Sequence, residues 1–280
     1  MRFDDFDAWS ASISGAHLRL ACDKVETPAW SLTLLPLGAT CIQVASEGGG
    51  NLCYGGNTHC GPQLFIPLTH SSEHVVNGIP LDDDSLLAIP RGADFSVRIR
   101  RRAHRWCSIA LPADTPLAGV LPDGSDRITC RPGAVRALGR LVEDVATALV
   151  DRPVGTAAHA AAGRRVLDAA VTCVTDRPAH APTTGRPRLD RAAIVRRVME
   201  AIEATPLPPS VADLAHVTGV NSRTLLRTFR ETFGVPPKQY LMLRELHTIR
   251  RVLSRGAPDD ATVADLLMRH GVWEFAEVAT

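Results

Sequence analysis

The chain of 280 residues is 45% hydrophobic and carries a net charge of +1. This length suffices for two cores, and the composition excludes wholesale disorder. No apolar run approaches the roughly twenty residues of a membrane span, and the acidic, aromatic start MRFDDFDAWS is unlike a signal peptide. We therefore expect a cytoplasmic protein with no membrane segment.

Seven cysteines stand at scattered positions, with no Cys-x-x-Cys pair. Reduced thiols are the default interpretation of such a pattern in a cytoplasmic chain. A thiol sensor that uses two of them is the alternative.

From Trp30 to Leu111 the sequence consists of short apolar runs separated by glycine-rich and asparagine-rich turns. Asp94–Arg100 alternates cleanly, with Phe95, Val97 and Ile99 on one face. These patterns predict strands that form a small barrel or sandwich.

Two amphipathic helices are predicted next, over residues 131–150 and 156–174. The stripe of the first holds Leu138, Leu141, Val142, Val145 and Leu149, and that of the second holds Val166, Leu167, Ala170 and Val171. The stripes either cover an open face of the sheet or pair with a second copy of the chain. Residues 176–187 hold three prolines and predict a linker. A helix is predicted over 191–204 with Ile194, Val195, Val198 and Ile202 inward.

Residues 210–234 have the layout of two short helices joined by a tight turn. Ser210 and Asp213 form a capping-box pattern, Gly219 suits a turn that needs positive φ, and Asn221 and Ser222 can cap the second helix. Leu225, Leu226, Phe229 and Phe233 recur at helical spacing and predict its buried face. A helix-turn-helix that enters a DNA groove has this arrangement.

The opposite face of that second helix is basic. Residues 221–255 hold eight Lys or Arg against two acidic residues, which suits contact with phosphate. An ordinary solvated helical hairpin is the alternative explanation of this stretch.

The pattern Asn221-x3-Leu225-x-Arg227-x-Phe229-x4-Gly234-Val-Pro-Pro237-x2-Tyr240 resembles the first half of the AraC/XylS-type DNA-binding domain, and the resemblance covers about residues 191–275. It implies an α+β protein with an N-terminal cupin-like β-barrel that binds a small effector, two connecting helices that form a homodimer, and a C-terminal all-α helix-turn-helix domain. We expect domains at 1–175 and 191–280, joined by a linker at 176–190.

The expected function is a sequence-specific transcription factor whose partners are double-stranded DNA and a small effector. Base contacts are expected from Arg223 and Arg227, with Asn221, Ser222 and Thr224 beside them. Phosphate contacts are expected from Arg230, Lys238 and Tyr240. The sequence assigns no effector-binding residue.

Residues 262–275 resemble the start of a second helix-turn-helix, with Leu267 where the family has a small residue. The sequence ends at Thr280, before that second reading helix would be complete. The alternative function is therefore a truncated paralogue that dimerises with intact relatives and does not bind DNA.

His59, Cys60, His70 and His74 are the only cluster with metal-binding residue types, and no His-x-His pair accompanies them. We expect neither a metal nor a cofactor. No nucleophile elbow, P-loop or GxGxxG motif is found, so we do not expect an enzyme.

Overall fold

The computed structural model describes residues 1–100, 102–117, 119–153, 155–177, 191–205 and 209–254, together with Met268. It divides into two compact units, Met1–Pro187 (unit 1) and Arg188–Thr280 (unit 2). Sheets dominate unit 1 and the described elements of unit 2 are helices, which confirms the predicted α+β class. Most of the expected linker lies outside the described residues, as does the expected second helix-turn-helix apart from Met268.

Unit 1 begins with a strand and a short helix, β1 (Arg2–Phe3) and α1 (Phe6–Ser10). The next strands are β2 (Ala16–Val25), β3 (Trp30–Leu37), β4 (Thr40–Glu47), β5 (Gly49–Asn57) and β6 (Gln63–Pro67). After a 3₁₀ turn at Ser71–Glu73 come β7 (Val75–Val76), β8 (Ile79–Pro80), β9 (Ser85–Ile89), β10 (Asp94–Ile99), β11 (His104–Ala110) and β12 (Asp126–Thr129).

These strands form two antiparallel sheets. The large sheet has the order β1-β3-β4-β11-β6-β9-β12, and the small sheet has the order β2-β5-β10-β7-β8. One hydrophobic cluster lies between them, with Leu32, Phe65 and Trp106 from the large sheet and Phe95 and Val97 from the small sheet. The described strands form two separate sheets, so the cupin-like closed barrel stays a prediction.

The other face of the large sheet is covered by α2 (Ala134–Leu149) and α3 (Ala157–Thr175). Leu138 and Val142 of α2 are fully buried in one cluster with Leu64 and Ile66 of the sheet. The apolar stripe is therefore buried within one chain, as the first interpretation of these helices predicts. The homodimer stays a prediction.

Unit 2 contains α4 (Arg191–Ala204), α5 (Val211–Thr218), α6 (Ser222–Phe233) and α7 (Pro237–Ser254). The inward positions predicted for α4 are buried, and Leu214, Leu225 and Phe229 from the next two helices are fully buried as well. Unit 2 therefore has a hydrophobic core of its own.

Candidate DNA-binding surface

Local hydrogen bonds fix where α5 begins. Ser210 Oγ accepts from the Asp213 amide at 3.2 Å, and Asp213 Oδ2 accepts from the Ser210 amide at 3.0 Å. Hydrogen bonds from Ser210 to the Asp213 carboxylate lower the pKa of that group. The capping box predicted from the sequence is thus formed, and it satisfies amides at the helix start that have no partner within the helix.

The turn between α5 and α6 uses the residue types that its geometry requires. Gly219 ends α5 with φ of 68°, a left-handed conformation that costs glycine little. The Val220 amide donates to the Ala215 carbonyl at 3.2 Å, which closes the turn. Asn221 Oδ1 then accepts from the Thr224 amide at 2.8 Å and caps α6. These contacts fix the direction in which α6 leaves the turn.

The buried face of α6 packs against α7. Leu225, Phe229 and Phe233 are fully buried, and the Tyr240 ring lies 4.6 Å from Phe233 and 5.6 Å from Phe229 between ring centroids. Aromatic contacts of this kind hold two helices in a fixed rotation. The opposite side chains of α6 are therefore presented to solvent in a defined order.

Tyr240 belongs to this core and not to the exposed surface. Its side chain is 3% exposed, and its hydroxyl donates to Met199 Sδ at 3.5 Å. The sequence prediction of a phosphate contact overlooked that the ring completes an aromatic cluster. We therefore remove Tyr240 from the candidate DNA-binding residues.

Leu226 also differs from its predicted place. It was expected on the buried face, but it is half-buried and lies among the polar residues of the exposed face. Thr228 and Thr232 fill the buried positions, at 1% and 3% exposure. The buried side of α6 is centred between Leu225 and Phe229, and Leu226 lies about 100° round the helix from Leu225, at the edge of that side.

The outer surface of α6 forms one polar face. We call it the α6 face, and it consists of Asn221, Ser222, Arg223, Thr224, Leu226, Arg227 and Arg230. Most of these residues, with Glu231, line a groove of about 340 Å³. Lys238 is exposed near the start of α7. The predicted DNA-binding residues other than Tyr240 are thus on exposed or half-exposed positions.

The charge of the α6 face is not cancelled by its neighbours. Glu231, the acidic residue at its edge, pairs with Arg191 at 2.7 Å. Within the described parts of the chain, Arg223, Arg227 and Arg230 make no ion pair. Three guanidinium groups at helical spacing can bind phosphate oxygens or the edge of guanine.

Unit 1 contains a second candidate site, a cavity of about 60 Å³ between the two sheets. Apolar side chains such as Leu18, Leu20 and Val97 line part of its wall. Glu47 and His104 line another part and face each other as partners in the β4–β11 register. Among the residues that the structure describes, no Lys or Arg lines this cavity.

Glu47 is buried and accepts from three side chains. Trp106 Nε1 donates to Glu47 Oε1 at 2.6 Å, His104 Nε2 lies 3.3 Å from the same oxygen, and Asn51 Nδ2 donates to Glu47 Oε2. Asn51 Oδ1 is buried and has no hydrogen-bond partner in the described structure. Sequence reasoning missed this cluster because strand pairing brings together residues that are far apart in the chain.

The pKa values of the two buried histidines of this region are shifted in opposite directions. Burial alone would lower the pKa of His104, but Glu47 and its hydrogen bond raise it above its ordinary value. Burial, together with the neighbouring His104, lowers the pKa of His74 to about 3. The two rings lie 5.2 Å apart between centroids. Protonation of His74 is therefore unfavourable beside His104.

The histidines and cysteine weighed as metal ligands occupy separate places. His59 Nε2 lies 3.9 Å from Cys60 Sγ, whereas His74 packs against His104 and Phe65. In the described residues no group of three His, Cys, Asp or Glu side chains could hold a metal ion. Of the helices that the structure describes, none is long and apolar enough to cross a membrane.

Solved structures that resemble the chain were found, whereas no protein-family model matches it. The AraC-like transcriptional activator CuxR is 16% identical, with 95% of this chain and 99% of that chain covered at a TM-score of 0.46. ToxT from Vibrio cholerae is 11% identical, with 85% and 90% covered at a TM-score of 0.32. These neighbours are AraC-like regulators. At these identities and TM-scores, function does not transfer from them to this chain.

Proposed function

We propose that this protein is a sequence-specific DNA-binding transcription regulator that acts in the cytoplasm. The observation that carries the proposal is the α6 face. Its helix is fixed by caps at both ends and by a buried aromatic cluster, and it presents three arginines without ion-pair partners in the described structure. A positive, preorganised helix of this kind suits the major groove.

Position on the helix suggests a role for each side chain. Arg223 and Arg227 lie on the first two turns of α6, where side chains of a docked recognition helix reach base edges. Asn221, Ser222 and Thr224 flank them and can donate or accept hydrogen bonds. Arg230 lies further along α6 and Lys238 lies on α7, and we assign both to phosphate oxygens.

We further propose that the protein acts as a homodimer through unit 1, which we infer to be a cupin-like sensor domain. Two α6 helices on paired half-sites would read more bases than one helix. Tethering also makes the second binding event intramolecular. The competing function is an interaction protein that pairs with related chains without binding DNA.

A mobility-shift experiment separates these two functions. The full chain is titrated on the DNA upstream of its own gene and on a scrambled fragment of equal length and composition. We expect a shift of the upstream fragment at lower protein concentration, and we expect Arg223→Glu/Arg227→Glu to abolish it. Arg196→Glu, which reverses an exposed charge on α4, is the matched control and should bind normally. If the wild type shows no preference, the proposal of sequence-specific binding is wrong.

The cavity of unit 1 favours a response to a small effector. Its polar wall offers the Asn51 Oδ1 acceptor without a partner, and the buried Glu47 carboxylate lies beside it. A ligand that donates a hydrogen bond would satisfy Asn51, whereas a carboxylate would be buried beside the Glu47 carboxylate, which already occupies His104. We therefore propose a small, uncharged or cationic ligand with an apolar body.

Three probes of one shape test the ligand class. Isobutanol and isobutylamine present a donor, and isobutyrate presents an anion on the same carbon skeleton. We expect the first two, but not the third, to raise the melting temperature of the full chain. Val97→Ile, which adds one methylene to the cavity wall, should weaken both effects. Equal stabilisation by isobutyrate, or none by the two donors, would contradict this ligand class.

A further inference from the structure

Two buried thiols meet where the large sheet joins the helical layer. Cys130 directly follows β12 and its amide donates to the Asp84 carbonyl at 2.8 Å, while Cys173 lies near the end of α3. Both side chains belong to the cluster between sheet and helices, at 1% and 5% exposure. The two thiols interact, because each shifts the pKa of the other, lowering that of Cys130 and raising that of Cys173.

Polar contacts on either side hold the chain segments together at this point. Arg131 Nη2 lies 2.7 Å from Asp176 Oδ1, and Arg177 Nη2 donates to the Val120 carbonyl at 2.7 Å. Asp176 and Arg177 immediately follow α3, and Arg131 is the neighbour of Cys130. Because contacts other than the thiols tie these segments together, the approach of the sulfurs follows from the fold.

The surroundings of Cys130 differ from those of other buried cysteines. The hydrogen bond from Cys173 lowers the pKa of the Cys130 thiol, and the charge of Arg177 lowers it further against the effect of burial. By contrast, burial raises the pKa of Cys53 and of Cys107. Since the thiolate is the reactive form of cysteine, Cys130 is the better nucleophile of the three.

We propose that Cys130 and Cys173 are a redox modification site that forms a reversible disulfide when the protein meets a peroxide. The Cys130 thiolate attacks one oxygen of hydrogen peroxide, the O–O bond breaks, and the departing hydroxide takes a proton to become water. Cys130 is then a sulfenic acid. The Cys173 sulfur attacks the Cys130 sulfur, the S–O bond breaks, and the hydroxide leaves as water with the Cys173 proton. Two thiols lose two electrons in total, and one peroxide becomes two waters.

The disulfide would join the end of α3 to the chain at the end of β12. It would close the loop that contains all of α2 and most of α3, which restricts the unfolded chain and stabilises unit 1. Both sulfurs are buried, so oxidation requires local opening and should be slower than alkylation of the exposed Cys60. A small dithiol reverses the reaction by thiol–disulfide exchange.

Peptide mapping of the oxidised full chain tests this proposal without any use of DNA. The protein is treated with hydrogen peroxide, unfolded in the presence of iodoacetamide and digested without reductant. We expect a cross-linked peptide pair that holds Cys130 and Cys173. Its mass should be two hydrogen atoms less than the sum of the two reduced peptides, and it should disappear on treatment with dithiothreitol. Both thiols alkylated after peroxide treatment, or either one linked to a different cysteine, would overturn the proposal.

Thermal unfolding of unit 1 gives a second readout with its own control. Peroxide should raise the melting temperature of the wild type, and dithiothreitol should restore the original value. Cys173→Ala suits the helix and lacks one thiol, so its melting temperature should not rise on oxidation. Cys60→Ser removes an exposed thiol elsewhere and should behave as the wild type. An equal rise in Cys173→Ala would contradict the proposed disulfide.

Discussion

Leu226 is an apolar residue on an otherwise polar face, and we expect it to make an apolar contact with DNA. An apolar side chain in the major groove can contact the methyl group of thymine. We expect replacement of one thymine by uracil in the operator, which removes only that methyl group, to weaken binding of the wild type by about 0.8 kcal/mol. Fluorescence anisotropy with matched operators measures the difference.

The variant Leu226→Ala provides the comparison. It should bind the thymine and uracil operators equally, because the side chain that contacts the methyl group is gone. Thr228→Ser changes a buried residue of the same helix and should keep the preference for thymine. A thymine preference that persists in Leu226→Ala would contradict the contact.

His74 makes the stability of unit 1 depend on pH. Its pKa is about 3 in the folded chain and near the ordinary 6.5 when unfolded, so the unfolded chain binds more protons between these values. Stability should therefore fall as pH decreases from 6.5 towards 3. The raised pKa of His104 acts in the opposite sense, since its contribution is lost as pH rises through its folded pKa. Other titratable groups near the pair include Glu47, His70 and Glu73.

His74→Phe tests this effect because it keeps a ring beside Phe65 and cannot bind a proton. We expect urea unfolding at several pH values to show a smaller loss of stability below pH 6.5 in the variant than in the wild type. His17→Phe replaces a histidine outside this cluster and serves as control. Parallel pH profiles for wild type and His74→Phe would be inconsistent with this assignment.

The residues of the α5–α6 pair could be predicted from sequence to differing degrees. Ser210, Gly219 and Asn221 act through neighbours in sequence, so their residue types predict their caps and turn directly. Leu226 and Tyr240 depend on which side chains from other helices fill the core. The pattern of apolar residues along α6 does not show which side chains of other helices fill the core.

At the scale of elements, Gly163 determines how closely α3 approaches the large sheet. A Cβ at this position would lie 2.0 Å from the Leu37 carbonyl oxygen, which is backbone and cannot rotate away. Gly163→Ala should therefore lower the free energy of unfolding by about 1–3 kcal/mol or more, although alanine is the better helix former. Urea unfolding of the purified variant measures the loss.

Gly139 on α2 is the matched control. A Cβ there would meet the Leu68 Cδ2 methyl at 3.1 Å, and a flexible side chain can move by the small distance required. Gly139→Ala should therefore be close to neutral. Similar losses in the two variants would mean that the approach of α3 to the sheet does not limit the residue at 163.

The helices themselves could be predicted from their 3.6-residue period, but the surface that they cover could not. The stripe of Leu138 and Val142 suits a sheet and a partner subunit equally well, because both are apolar. The register of β4 with β11 brings Glu47 beside His104. Local sequence patterns do not predict this register. Long-range pairing of this kind depends on the whole fold.

At the scale of the whole molecule, the two units have separate cores and should unfold separately. Leu138→Asp places a charge in the fully buried cluster of unit 1 and should unfold that unit. In a Trp273→Phe background, tryptophan fluorescence then reports unit 1 alone, since Trp9, Trp30 and Trp106 belong to it. We expect loss of the tryptophan transition while the helical CD transition of unit 2 persists.

A folded monomeric Leu138→Asp would contradict this expectation, because it would mean that α2 buries its stripe against a second copy. Light scattering of the same samples gives the oligomeric state. Arg140→Asp lies on the exposed side of α2 and should leave both transitions in place.

The central claim is that the α6 face binds DNA, with bases and phosphates contacted by different residues. Fluorescence anisotropy on one operator and one scrambled duplex, at several salt concentrations, tests it most directly. We predict that Arg227→Ala weakens operator binding by about 1–3 kcal/mol and reduces the preference for the operator. Lys238→Ala should weaken binding to both duplexes and lower the salt slope by about one. If both variants kept the wild-type affinity and salt slope, the claim that the α6 face binds DNA would be wrong.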